Sequence, residues 1–479
     1  MFKNNIKIAL RNLWNNWGSS LLNVTGLTLG VLCSVIIFLT VKYELSFDTQ
    51  HQNAAEIYRV TNNYYYPTFT MYVCQTPDPM AEALVNDFPS FTRVVSINSS
   101  FNHNISIGED LFESDLIYAG TDFLELFDYY DNPSLWIEGN PKEVLKEVNK
   151  TILTATMATR LFDRPQDAIG KRIQLQSGLE VEVGSVIQDP PYNTNYPFEQ
   201  IVSYPTYKAN YFRNTFGGVA STTTFVQIPT AVELESLKPT LKQFNEKYME
   251  AAWGEDFVSL ALQPLSEIHY DERFGSNSYT ASKQYLWTLG LIGLFMIIIA
   301  CINFVNLATT KAISRSKEIG MRKILGSSKR DIISQFMSEA FLLAIIAIGF
   351  GLTLAQAIFP IFSELTELNV GNQFIFSTEL LLFITGLLLF VTLAIGLYPA
   401  FVLSNFKPIE VIRRKFATSP IRRFSLSRGL MAFQLTTAQV LVIGTIIITC
   451  QISFFQNKNL GFDKESVLVV EIDLSLIHI

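Results

Sequence analysis

Five long stretches without a charged residue constrain the fold of this chain more than any other feature. Each exceeds the roughly 20 apolar residues that cross a bilayer as a helix. Their apolar residues run on without strand-like alternation, and in lipid the backbone must be satisfied within the segment. We therefore predict an α-helical polytopic membrane protein rather than a large soluble core of buried helices. The predicted spans are residues 21–42, 285–307, 337–359, 380–403 and 430–452.

The first span resembles a signal peptide, because Lys3, Lys7 and Arg11 precede it. It is too long for one and lacks a small-residue cleavage site, so we interpret it as a retained anchor. Before it, residues 1–20 place apolar residues at helical spacing between the basic ones. This pattern predicts an amphipathic helix at the membrane interface, with a plain cytoplasmic tail as the alternative.

The distribution of basic residues predicts the orientation. The N-terminus and the segments 308–336 and 404–429 are strongly basic, whereas the loop between the third and fourth spans contains acids and no base. Short basic loops lie on the cytoplasmic side. Residues 43–284 hold 32 acidic and 16 basic residues and are predicted to be extracytoplasmic. The net charge of −7 is therefore the sum of basic segments and an acidic extracytoplasmic domain. Nucleic acid is not an expected partner.

The extracytoplasmic region mixes strand-like and helix-like pieces, which predicts an α+β domain over residues 43–284. A cluster of aromatic residues around Tyr64–Tyr66, Phe69 and Tyr72 is either a hydrophobic ligand surface or ordinary strand packing. Cys74 is the one cysteine of this domain, so no disulfide within it is expected.

The basic segment 308–336 contains helix and capping signals that membrane topology alone does not require. Glu318 and Arg322 have the i,i+4 spacing of a favourable ion pair. Gly326 fits the position just after a helix, and Ser328 with Asp331 resembles a capping box that opens the next helix. We expect a short cytoplasmic helix that stops near Gly326 and restarts into the third span.

Motifs of several enzyme and transporter classes are absent from the sequence. It contains no Gly-x-x-x-x-Gly-Lys-Ser/Thr loop, no His-Glu-x-x-His and no paired cysteines, so we predict no catalytic residue, cofactor or metal ligand. Ionisable residues, which ion-driven transporters place inside their spans, are nearly absent there. The energy for any transport must therefore come from elsewhere.

Several segments along the chain form a familiar pattern. They are Ile6–Leu13, Gly26–Gly30, Tyr43–Asp48, Ile57–Val60, Trp136–Pro141, Leu153–Ala158, Leu161–Phe162, Ile169–Lys171, Arg315–Gly326, Phe336–Ala340 and Gly396–Ala400 with Pro408. These segments resemble FtsX-like permeases of the MacB type, particularly the long members typical of Bacteroidetes. The resemblance covers essentially the whole chain, and its most specific parts are the first 60 residues and the segment after the second span.

The resemblance implies a MacB-like periplasmic core domain over 43–284 and an FtsX-like permease domain over 285–410. It also implies a separate ATPase of the MacB/LolD kind, whose ATP hydrolysis moves the periplasmic domain without passing substrate through the bilayer. Efflux or lipoprotein handling, with a periplasmic adaptor and an outer-membrane channel, is the expected setting. The residues expected to contact the ATPase are Arg315, Glu318, Ile319, Gly320, Arg322, Lys323 and Gly326.

Long members of this family repeat the four-span unit. The fifth span and residues 453–479 resemble the start of a second unit, so we expect a longer intact chain. Such a chain would act as a homodimer or as an intramolecular pseudo-dimer with a second half. The expected location is the inner membrane, with a cytoplasmic N-terminus. A sensory receptor with an extracytoplasmic ligand domain is the alternative, although it leaves three further spans unexplained.

Overall fold

The structure, a computed structural model, describes most of the chain: residues 11, 17–128, 130–217, 222–274, 279–366, 377–404 and 424–458. At 309–320 it describes the backbone alone. The chain divides into two compact units, the first formed by Met1–Tyr43 with Gln284–Leu468 and the second by Glu44–Lys283. Most of the predicted amphipathic helix of residues 1–20, and most of the predicted second-unit segment 453–479, lie outside the described residues.

Five helices dominate unit one, and each is long and apolar enough to cross a membrane. We call them the first to the fifth long helix. Each contains one predicted span, which confirms the predicted fold class. Their bounds are Trp17–Glu44, Lys283–Ile324, Lys329–Thr366, Thr378–Ser404 and Phe424–Asn457.

The first four long helices share one apolar core, in which glycines allow close backbone approach. A methyl group added at Gly351 would lie 2.6 Å from Cγ1 of Val31, and one at Gly30 would lie 2.8 Å from Cβ of Ala300. Lipid gives little hydrophobic drive for helix association, so tight packing at small residues supplies much of the attraction. Lys42 and Glu379 add an ion pair of 3.0 Å between the first and fourth long helices.

Unit two is built on a sheet of eleven strands in the order β11-β1-β10-β3-β4-β9-β6-β8-β5. Outside that path, β2 pairs with β1, and β7 pairs with β3 and β8. The pairs β4–β9 and β6–β8 are parallel. The strands are β1 Ile57–Tyr65, β2 Thr70–Val73, β3 Arg93–Ile107, β4 Asp110–Ala119, β5 Trp136–Glu138, β6 Lys150–Thr154, β7 Arg172–Leu175, β8 Glu180–Ile187, β9 Gln200–Ser203, β10 Thr223–Gln227 and β11 Val258–Pro264.

Short helices pack on this sheet and close three apolar clusters. The mixture of strands and helices confirms the predicted α+β class. The α-helices are Met80–Asp87, Thr121–Leu126, Pro141–Val144, Ala155–Phe162, Tyr204–Asn210, Leu234–Phe244, Ala251–Trp253 and Leu265–Ile268; Asn245–Glu250 is a π-helix, and Ala54–Glu56, Pro133–Leu135 and Pro165–Ala168 are 3-10 turns.

The aromatic cluster around β1 and β2 fits neither interpretation completely, because some of its residues pack in the core and others form an exposed surface. Tyr64 is buried in the core, as strand packing predicts, whereas Tyr65, Tyr66 and Phe69 are exposed around the β1–β2 turn. The rings of Tyr66 and Phe69 stack with centroids 4.8 Å apart. Strand alternation separates Tyr64 from Tyr65, because successive side chains of a strand point to opposite faces, whereas Tyr66 and Phe69 lie in the turn beyond β1.

Candidate functional site: the turn after the second long helix

The second long helix does not end at the predicted edge of its span. It continues through the basic segment to Ile324, so the segment 309–324 is the end of a 42-residue helix. The expected stop near Gly326 and restart into the third long helix are confirmed, but the expectation of a separate short helix was wrong, because the segment continues the second long helix. The physical reason is that no proline interrupts Lys283–Ile324, and the basic residues in it are good helix formers.

The helix ends in a hydrogen-bonded motif centred on Gly326. The amide of Ser327 donates to the carbonyl of Arg322 at 3.0 Å, and the amide of Gly326 donates to that of Lys323 at 3.1 Å. These two bonds, with Gly326 at φ +96°, form a Schellman motif. The predicted position of Gly326 just after a helix is therefore confirmed.

The third long helix starts immediately afterwards with a capping box. The Asp331 carboxylate accepts hydrogen bonds from the amide of Ser328 at 2.9 Å and from its hydroxyl at 2.7 Å. The amide of Asp331 donates back to the Ser328 hydroxyl at 3.2 Å. The predicted pairing of Ser328 with Asp331 is confirmed, and it fixes the entry of the chain into the third long helix.

Arg322 braces the turn from the side. Its guanidinium donates to Oε1 of Gln335 at 2.7 Å, which ties the second long helix to the third. The predicted ion pair with Glu318 stays a prediction, because the side chain of Glu318 lies outside the described residues. Gln335 was missed by the sequence analysis, since its distance along the chain gives no helical spacing to Arg322.

The outer face of the turn is apolar. Met321, Ile324 and Leu325 are 63%, 55% and 82% exposed. Their i, i+3, i+4 spacing places them on one side of the helix, a signal that was present in the sequence and that we did not use. Ile324 lies 16 residues beyond Ala308, where the apolar span ends, a rise of about 24 Å along the helix.

The structure distributes the seven predicted site residues along this helix end. Arg315, Glu318, Ile319 and Gly320 lie on its helical backbone, Arg322 and Lys323 in its last turn, and Gly326 in the cap. Partial burial lowers the pKa of Lys323 below its usual range, and the nearby charge of Lys329 lowers it further. The arrangement is a rigid basic turn with an apolar face, and it is suited to protein contact.

A second group of polar residues, in unit two, was missed entirely. In the segment Glu44–His51 the side chains of Glu44, Asp48 and His51 are buried. The buried carboxylate of Asp48 accepts hydrogen bonds from the Thr194 hydroxyl at 2.8 Å and from Nδ2 of Asn195 at 2.6 Å. Nδ1 of His51 lies 3.6 Å from the carboxylate of Asp128. Among the described residues no His, Cys, Asp or Glu cluster could hold a metal ion.

Two family profiles match the chain. Residues 20–244 match the family described as MacB-like periplasmic core domain, and residues 290–408 match the FtsX-like permease C-terminal family. Together they include unit two, except for residues 245–283, and most of the first four long helices. The second match contains the whole turn described above.

Similar proteins are macrolide export ATP-binding/permease proteins MacB. That of Chlorobium luteolum is 23% identical over 57% of this chain and 38% of its own length. That of Rhodopirellula baltica is 24% identical over 59% of this chain and 43% of its own. The periplasmic region of MacB from Actinobacillus actinomycetemcomitans aligns with 43% of this chain and 89% of its own at 13% identity, with a TM-score of 0.30. The chain thus spans less than half the length of these curated relatives.

Proposed function

This chain belongs to the FtsX-like, MacB-type family of ABC transporter permeases, and we propose that it couples ATP hydrolysis on a separate ATPase chain to movement of its extracytoplasmic domain. The observation that carries this proposal is the exposed apolar face of Met321, Ile324 and Leu325 on a rigid turn outside the predicted spans. An exposed apolar patch on such a turn indicates a protein partner.

The proposed orientation places this turn in the cytoplasm, where ATP is available. Its support is the excess of basic residues in the short segments around the turn and after the fourth long helix, against the acidic composition of unit two. In this orientation the N-terminus is cytoplasmic and the domain is periplasmic, with the bilayer being the inner membrane.

The hydrogen bonds that fix the turn explain how force from the ATPase would reach the membrane helices. The Schellman motif, the capping box and the Arg322–Gln335 bond leave the end of the second long helix little freedom relative to the start of the third. A partner bound at Leu325 would therefore displace the second and third long helices together. We propose that Arg315, Glu318, Ile319, Gly320 and Lys323 extend the contact along the helix.

The proposed role is export, or the handling of lipoproteins or antimicrobial compounds, by mechanotransmission. The support is the family membership together with a large domain outside the membrane. Macrolide export, which the names of the relatives state, is one candidate activity, and a periplasmic adaptor with an outer-membrane channel is the proposed setting.

The test is a charge placed on the apolar face. Leu325→Asp in the full chain is expected to weaken binding of the copurifying ATPase roughly 30-fold, because burying the new carboxylate in a contact costs about 2 kcal/mol. Gly320→Trp and Glu318→Lys should act in the same direction. Binding and ATP hydrolysis are measured with the complex in lipid nanodiscs.

Leu365→Asp is the matched control. Leu365 is 80% exposed, close to the 82% of Leu325, and lies at the opposite end of the third long helix. It should leave ATPase binding unchanged. If Leu325→Asp binds and stimulates the ATPase like the parent chain, or if no ATPase copurifies with the parent, the proposed function is wrong.

A further inference from the structure

The chain enters unit two at Glu44 and leaves it at Lys283, and buried and partly buried polar bonds connect these two ends. Oε2 of Glu44 lies 2.6 Å from Nε2 of His269. The hydroxyl of Tyr279 donates to the other carboxylate oxygen at 3.1 Å, and the hydroxyl of Tyr270 donates to the Glu44 carbonyl at 2.8 Å. We call Glu44, Phe47, His269, Tyr270 and Tyr279 the junction cluster.

Aromatic packing holds the same two ends. The Phe47 ring stacks on the His269 imidazole with centroids 3.6 Å apart and planes 10° from parallel. Tyr279 meets both rings edge-on, at 5.8 Å from Phe47 and 5.3 Å from His269. The side chains of Glu44 and His269 are 4% and 1% exposed. Solvent therefore has little access to the bond between Glu44 and His269, and such hydrogen bonds are directional.

The residues next to the junction cluster are also fixed to the domain. The amide of Asp48 donates to the carbonyl of Asn193 at 2.9 Å, and Nδ2 of Asn193 donates to the carbonyl of Ser46 at 2.8 Å. On the returning side, the amide of Ala281 donates to the carbonyl of His269 at 2.9 Å. Connections between domains are ordinarily exposed and poor in contacts. Here both connections are fastened within a few residues of the long helices.

We propose that the junction cluster is the joint through which unit two receives movement from the first and second long helices. Glu44 is the last residue of the first long helix, and Lys283 is the first residue of the second. Because the cluster binds the two ends of the domain to each other, a displacement of either helix end reaches the sheet through both connections. This inference rests on the proposed function, which supplies the movement.

Hydrogen bonds between side chains suit a joint better than apolar packing does. Replacing buried polar partners by well-packed apolar residues often leaves stability unchanged or higher, so stability alone does not explain Glu44 and His269. Their hydrogen bonds have fixed directions and lengths, whereas apolar contacts slide. The five side chains therefore define one geometry for the two connections.

The experiment uses the full chain with its copurifying ATPase in nanodiscs. Hydrogen exchange of unit two is measured without nucleotide and with ATP plus vanadate. The variants are Glu44→Gln, which keeps the shape, His269→Phe, which keeps the stacking on Phe47, and Tyr279→Phe, which removes one hydroxyl. Glu267→Gln is the matched control, because its ion pair with Lys283 at 3.2 Å lies in the same segment but is exposed.

In the parent chain and in Glu267→Gln, ATP is expected to change exchange in the strands of unit two. In Glu44→Gln and His269→Phe this change is expected to be lost, while ATPase binding and ATP hydrolysis stay as in the parent; the exchange of the strands without nucleotide shows whether the sheet stays folded. Tyr279→Phe should weaken the change, and its single missing hydroxyl keeps the test valid if the other variants unfold the sheet.

The outcomes separate this inference from the proposed function. If ATP changes nothing in unit two of the parent chain, both are wrong. If the parent responds and all three variants respond equally well, the proposed function stands and the junction cluster is not the joint. If the response weakens in Glu267→Gln as much as in Tyr279→Phe, charge in the segment matters rather than the buried bonds, and the inference is likewise overturned.

Discussion

The turn after the second long helix and the segment Glu44–His51 are both braced, but in opposite ways. At the turn the polar bonds of Ser328 and Asp331 are exposed, and apolar Leu325 points outward. In the segment the polar groups of Glu44 and Asp48 are buried. A rigid turn with an exposed apolar face is suited to binding a partner. Buried polar bonds instead fix the geometry of the chain itself. We therefore propose that rigidity serves partner contact at the turn and internal connection in the segment Glu44–His51.

The largest expected effect is on the buried side of the comparison. Asp48→Ala should lower the free energy of unfolding of unit two by about 3 kcal/mol, because it leaves the Thr194 hydroxyl and the Asn195 amides buried without their acceptor. The measurement is hydrogen exchange of the strands in the full chain under increasing denaturant.

Part of that loss would come from the backbone, because Asp48 has φ +53°. Asp163 supplies the control, since it has φ +64° and is exposed. Asp163→Ala should cost only about 1 kcal/mol, the price of the left-handed backbone. Equal losses in the two variants would mean that the buried bonds of Asp48 contribute nothing.

A smaller effect is expected at the exposed turn. Gly326→Ala meets no atom within 4 Å, so its cost is that of an alanine at φ +96°, about 1 kcal/mol. The change should speed exchange of the Ser327 amide and weaken ATPase binding. Gly178→Ala, at φ +82° and also without a neighbour, carries a similar local cost in unit two and should leave ATPase binding intact. Equal binding by both variants would show that the Schellman motif does not position the contact.

The same comparison explains what the sequence could predict. The five spans follow from uninterrupted apolar stretches, and the caps at Gly326 and Ser328 follow from residues within a few positions of each other. Glu44 and His269 are 225 positions apart, and no local pattern links them. The continuity of the second long helix was missed because charge was used to end the span, although charged residues continue a helix well.

The candidate site was also predicted only in part, because some of its features depend on how two helices pack. The basic residues of the segment and its capping residues stand out in the sequence, and the resemblance to FtsX-like permeases indicated the region. The exposure of Met321 and Leu325 depends on which side of the helix meets the third long helix. Arg322 was assigned a partner along its own helix, and its observed bond to Gln335 crosses the turn.

The smallest expected effect is a pH dependence on the buried side. Burial lowers the pKa of His51 below its ordinary value of 6.5, although the nearby carboxylates of Asp48 and Asp128 act to raise it. A histidine with a lower pKa in the folded state contributes stability that is present above 6.5 and is lost as the pH falls toward the folded value. Unit two should therefore weaken on acidification, by a fraction of the about 1.4 kcal/mol per pH unit that one full proton would give.

Two groups must be separated in that measurement. Burial also raises the pKa of Asp48, so its contribution has the opposite sign: it is complete below the ordinary value of 3.8 and is lost as the pH rises through the raised value. His51→Gln removes the first contribution and keeps a hydrogen-bonding side chain beside Asp128. Unfolding of the full chain followed from mildly alkaline pH down through 6.5 should show a shallower decline in His51→Gln than in the parent. Parallel declines would mean that His51 does not titrate in this range and that other groups set the pH dependence of unit two.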